Sequence, residues 1–128
     1  MYKHWGLDKL AKKEYAESIG EMKHADRLMD RIFQLDGLPN LQDLAKILVA
    51  EDVPEALACD LKAETGAQTT IKASIDHCEI VGNYVSRELL QVIVNDIGEH
   101  IDFLETQIDL VAKIGIQNYL PSQMGELT

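Results

Sequence analysis

The chain has 128 residues, a formal net charge of −10 at neutral pH and a pI near 4.7. That length holds one domain, and the charge leaves no basic stripe to neutralise phosphates, which excludes nucleic acid as a partner. No apolar run reaches the roughly 18 residues of a membrane span, and the opening Met1-Tyr2-Lys3-His4-Trp5 has no apolar core behind it to serve as a signal peptide; the expected location is the cytoplasm.

The pattern is all-α. Residues 7–35 contain no proline and only Gly20 as a glycine, and two stripes with helical spacing run along them. The first passes Ser18, Glu21, Ala25, Leu28, Ile32 and Leu35; the second passes Tyr15, Ile19, Met22, Asp26, Met29 and Phe33. Two faces with apolar content imply two surfaces to pack against, the chain's own core and a second subunit. Asp36-Gly37-Leu38-Pro39-Asn40 supplies the breakers that stop this helix. About fifteen residues then lead to Asp52, long for a link between neighbouring helices and suited to a crossover along a bundle.

Asp52 reads as an N-cap, with Pro54 in the first turn and Glu55 at N3. The second helix runs to residue 81 on a stripe of Leu57, Leu61, Glu64, Gln68, Ile71, Ile75 and Cys78. Cys59 and Cys78 both fall on it, about 28 Å apart at helical rise, so they cannot form a disulfide and read as reduced, intracellular thiols. Gly82-Asn83 breaks the run. A third helix follows to residue 114 on Leu90, Ile93, Ile97, His100, Leu104, Ile108 and Val111. Gly115 ends it, and residues 117–120 suit a short last helix limited by Pro121.

The chemistry lies in polar groups on these stripes. Glu21 and His24 stand three residues apart, on one helical face, and can hold one metal ion between them; such a Glu-x-x-His is half of the di-iron signature of ferritin-like bundles. Glu64 and His100 each interrupt an otherwise mostly apolar row. A lone histidine there is most often a satisfied core residue, and an unpaired buried carboxylate is costly. Two carboxylates and two histidines recurring together make a metal site as good a reading as a hydrogen-bonded core. Their oxygen and imidazole donors suit iron, manganese or zinc. Met22 on the other face is core filler on its own showing.

The segments Glu17-Ser18-Ile19-Gly20-Glu21-Met22-Lys23-His24-Ala25-Asp26, Leu35-Asp36-Gly37-Leu38-Pro39-Asn40-Leu41-Gln42-Asp43-Leu44, Tyr84-Val85-Ser86-Arg87, His100-Ile101-Asp102-Phe103-Leu104-Glu105-Thr106 and Gln117-Asn118-Tyr119-Leu120 resemble bacterioferritin, the haem-containing ferritin of bacteria. The resemblance covers essentially the whole chain. It implies a four-helix bundle with a long crossover and a short C-terminal helix, assembled by two-fold dimers into a hollow 24-subunit shell that stores ferric mineral. It also implies a di-iron ferroxidase centre within each bundle, oxidising Fe(II) with oxygen or peroxide, and a haem b across each dimer interface. Met22 matches the haem's axial methionine. Glu21 matches the bridging carboxylate and His24 the imidazole of the first iron. Glu64 and His100 match ligands of the second.

Two ligands of that pattern are missing. The glutamate expected three residues before His100 is Ile97, and its neighbours Asp96 and Glu99 point off the inward face. The other belongs to a first helix that the family places before Met1 and that this chain largely lacks, which would leave core faces of the remaining helices uncovered. Three readings follow. The chain is an iron-storage subunit with an incomplete ferroxidase centre, working beside a second subunit type. Or a bulge near Gly98 brings Asp96 or Glu99 into an active centre. Or it is a non-enzymatic structural subunit or fragment without a di-iron site.

Overall fold

A computed structural model describes residues 1–37 and 50–125. It contains α1 (Asp8–Gln34), α2 (Val53–Val81), α3 (Tyr84–Ile114) and α4 (Ile116–Ser122), and no strand among the described residues. The expected crossover falls on residues 38–49, outside the described residues.

Local chemistry sets the helix ends. Asp52 takes an extended conformation and its side chain accepts from the Glu55 backbone N–H at 2.9 Å, while Glu55 Oε2 accepts from the Glu51 N–H at 3.2 Å. These bonds satisfy backbone donors that no helical carbonyl reaches. Gly82 ends α2 in the left-handed region (φ 76°), and the Asn83 N–H returns to the Cys78 carbonyl at 2.8 Å in a Schellman closure. Asn83 then caps α3, its Oδ1 accepting from the Ser86 N–H at 3.2 Å. α1 closes in the same manner, but Asp36 rather than Gly37 takes the positive φ (61°). Gly37 serves close approach instead: its N–H reaches the Ile32 carbonyl at 2.9 Å, and a Cβ there would lie 2.9 Å from the Ile32 side chain. α4 continues through Pro121, since a proline in a last turn removes only one helical hydrogen bond.

α2 and α3 form an antiparallel hairpin, and α1 lies antiparallel along α3. The α1–α3 register is marked by Arg31, whose guanidinium donates to Ser86 Oγ and Asn83 Oδ1, by His24 against Asp96, and by Lys13 over the Phe103 ring. α1 packs on α3 and not on α2, so a groove remains between α1 and α2. α4 folds back on α3, where the Tyr119 hydroxyl donates to Gln107 Oε1 at 2.7 Å.

The interior has two apolar clusters. One joins Tyr2, Leu7, Leu10, Leu57, Leu104 and Tyr119; the other is built on Ile93, Ile97 and Ile101 with Leu28 and Ile71 against it. The α2 and α3 stripes read from the sequence are buried or half-buried throughout. α1 differs from expectation. Its face toward α3 runs through Leu10, Lys13, Glu17, His24, Leu28 and Arg31, all buried or half-buried, while Ser18, Glu21 and Ala25 of the first stripe, which carries the predicted ligand Glu21, are exposed, Ser18 and Glu21 lining a cleft toward α2. Burial follows the neighbour actually present, and on this side that is a polar meeting of α1 with α3. On the second stripe Tyr15, Met22 and Phe33 are exposed, while Ile19 and Met29 are half-buried.

Candidate metal centre

Between the two apolar clusters lies a polar layer. Glu21 from α1, Glu64 from α2 and His100 from α3 each offer one ligand atom, all within 4.8 Å of one another. His100 Nδ1 is buried and has no hydrogen-bond partner; Glu64 Oε1 stands 3.5 Å away and Glu17 Oε2 3.6 Å away. Leaving such a nitrogen unpaired costs about 1–3 kcal/mol. A cation held between it and the carboxylates removes that cost, so the donor set fits a metal.

His24 is turned partly away. Its Nε2 lies 2.7 Å from Asp96 Oδ2. A carboxylate only accepts, so Nε2 donates to it, and Nδ1 is the ring atom that could take a metal. The imidazole lines one cavity of about 210 Å³ together with Glu21, Glu64, Ile97 and His100. The structure therefore gathers three of the four sequence-predicted ligands tightly and sets the fourth in the wall. Met22, 60% exposed, lies on the outer face of α1.

The charges in this layer act on one another. Burial, then the adjacent Glu64 carboxylate, raises the Glu21 pKa to about 7. His100 holds Glu64 below the ordinary glutamate value, and Glu64 in turn raises His100 against the opposing effect of burial. Asp60, one turn before Glu64 on α2, is raised by burial and then by Glu14. A second cleft, about 280 Å³ and lined by Glu14, Glu17, Asp60 and Glu64 among others, opens from this layer into the α1–α2 groove.

Comparison with known proteins agrees with this architecture. The family model described as a ferritin-like domain matches residues 1–114. A bacterioferritin of Brucella melitensis is 48% identical over 115 residues, covering 90% of this chain and 71% of its own length. One from Rhodobacter capsulatus is 44% identical over the same shares. The Mycobacterium tuberculosis protein named bacterioferritin BfrA is 40% identical over 119 residues, 93% of this chain and 75% of its own.

The chain belongs to the bacterioferritin family.

Against the bacterioferritin ligand pattern given by the sequence resemblance, the departure at Ile97 is structural as well as chemical. Its side chain is 9% exposed and packs with Ile93 and Ile101. Asp96 spends its carboxylate on His24, and Glu99 stands on the exposed rim of the cavity. Sequence reasoning missed Glu17, Asp60 and the Asp96–His24 contact. Glu17 was within reach of it: Glu17 and Glu21 are four residues apart, neighbours on one helix surface.

Proposed function

We propose that this chain is an iron-storage subunit in which Glu21, Glu64 and His100, with His24 from the cavity wall, hold Fe(II) for oxidation before it enters a ferric mineral. The observation that carries the reading is the buried, unpartnered His100 Nδ1 facing carboxylates from other helices. Bound iron supplies the one-electron chemistry with oxygen or peroxide as acceptor. The residues prepare for it. Glu64, kept ionised beside His100, presents negative charge to an arriving dication. Glu21, with its pKa near neutrality, gives up its proton as the cation arrives. Asp96 fixes the ring of His24 so that Nδ1 remains a free donor atom, a known role for a carboxylate behind a metal-binding histidine.

The same proposal assigns Met22 as an axial haem b ligand shared with the equivalent methionine of a second copy, and places the subunits in a 24-subunit shell, alone or mixed with a second subunit type. In support, Met22 puts a soft thioether on an exposed apolar stripe with Tyr15 and Phe33. A two-fold axis there would offer one iron two identical axial ligands. With Ile97 in place of a carboxylate, the centre lacks a ligand that the family pattern puts at that position.

Stopped-flow oxidation of Fe(II) after anaerobic loading tests the site. Saturable binding and oxidation that Glu64→Gln and His100→Ala abolish are expected; oxidation at the rate of free Fe(II), indifferent to both changes, would refute it. Protein produced with haem supply should show a haem absorption band that Met22→Ala removes without loss of helix content. A band that survives that change overturns the haem assignment.

A further inference from the structure

We propose that Glu17 is the carboxylate that completes this metal site in place of the glutamate that Ile97 does not supply. The inference rests on the metal reading above and adds a ligand to it.

Glu17 and Glu64 approach His100 Nδ1 from two helices at nearly equal distance, 3.6 and 3.5 Å. Both separations are too long for hydrogen bonds. Each separation matches that of two donors on one ion, since bonds of about 2.1 Å at roughly tetrahedral angles put donor atoms about 3.4 Å apart; Glu17 itself stands outside the set of Glu21, Glu64 and His100 whose ligand atoms lie within 4.8 Å of one another, so its side chain must close in on the ion. The nitrogen between them is buried and satisfied by neither.

Glu17 is also held in place, and only by one of its oxygens. Lys13 Nζ pairs with Oε1 at 2.9 Å, whereas Oε2 faces His100. Lys13 is itself anchored, its ammonium 4.8 Å from the centroid of the Phe103 ring. Phe103 lies three residues beyond His100 on α3, so the residue that anchors Lys13 lies one turn from the imidazole Glu17 faces. A plain surface ion pair has no need of a second oxygen aimed into a polar layer; the Glu17 side chain is only 27% exposed.

Glu17 lies on the α1 face packed against α3, as Ile97 lies on the α3 face that looks inward. It lines both the cavity beside Ile97 and the cleft leading to the α1–α2 groove. Glu17 thus brings a carboxylate from the opposite helix to the cavity that Ile97 lines.

Cobalt(II) titration of the full chain, followed by its visible absorption, tests this without reference to oxidation. Glu17→Gln should weaken Co(II) binding about tenfold or more and change the band shape, since a donor atom is lost. Glu14→Gln, which removes the same charge one turn away, should leave the band shape intact. Ile97→Glu placed in the Glu17→Gln chain should recover the affinity. If Glu17→Gln keeps the original affinity and spectrum while Glu64→Gln loses both, Glu17 is not a ligand and the three-residue site stands. If the unmodified chain binds no Co(II), both the site and this extension fall.

Discussion

Metal-free protein should lose stability as pH rises from 5 to 8, and Glu21 should be the main reason. Folding raises the Glu21 pKa from 4.5 to about 7. The folded chain therefore binds the proton more tightly than the unfolded one. Its stabilising effect is full below pH 4.5 and fades as pH climbs through 7. His100, also raised, acts in the same direction: its contribution is present below 6.5 and disappears above its folded pKa. Glu64, which is lowered, loses its contribution only in acid, outside this window. At face value the Glu21 shift is about 3 kcal/mol, but the residue is largely open to the groove, and screening by solvent reduces that to on the order of 1 kcal/mol. For a chain of this size that is a fall of roughly 3–6 °C in melting temperature. Scanning calorimetry at pH 5, 6, 7 and 8 measures it, with Glu21→Gln expected to flatten much of the slope. Saturating Co(II) at pH 8 should recover about 2–3 kcal/mol at a hundred times its dissociation constant. A melting temperature that holds or rises between pH 5 and 8, or an unchanged slope in Glu21→Gln, would refute the reasoning.

Other substitutions separate the layers of the account. Asp96→Asn should lower metal affinity about 10- to 100-fold by releasing the His24 ring, with Asp96→Glu recovering part of it; isothermal titration reads both. Ile97→Glu should destabilise the metal-free chain by several kcal/mol, by burying a carboxylate among Ile93 and Ile101, and tighten Co(II) binding at least tenfold; denaturant melts with and without metal check the reversal. Leu104→Ala, at 2% exposure beside Leu57 and Tyr119, should cost about 2–5 kcal/mol in urea unfolding.

The two helices that carry Glu64 and His100 were legible because their inner faces are apolar at helical spacing, and a polar residue on such a row is conspicuous. Asp52 and Gly82 marked boundaries for equally local reasons. α1 was harder. It meets α3 through Lys13, Glu17, His24 and Arg31, and hydrophobic periodicity carries no signal for a face built from ion pairs and hydrogen bonds. The reading therefore placed the inner surface one stripe away and overlooked Glu17. Asp96 is exposed, yet it also borders the cavity. What the spacing could not supply was the reach of a histidine ring from the opposite helix, which puts that exposed carboxylate to use behind the site. At the end of α1 the left-handed residue is Asp36, since a short polar side chain tolerates that conformation and Gly37 is needed for close contact with Ile32.

The central claim is that side chains from three helices converge on one ion. Crystals soaked anaerobically in Fe(II) and measured across the iron absorption edge test it directly. The account predicts an anomalous peak within bonding distance of Glu21, Glu64 and His100 Nδ1. Peaks confined to outer surface carboxylates, with none in that layer, would contradict it.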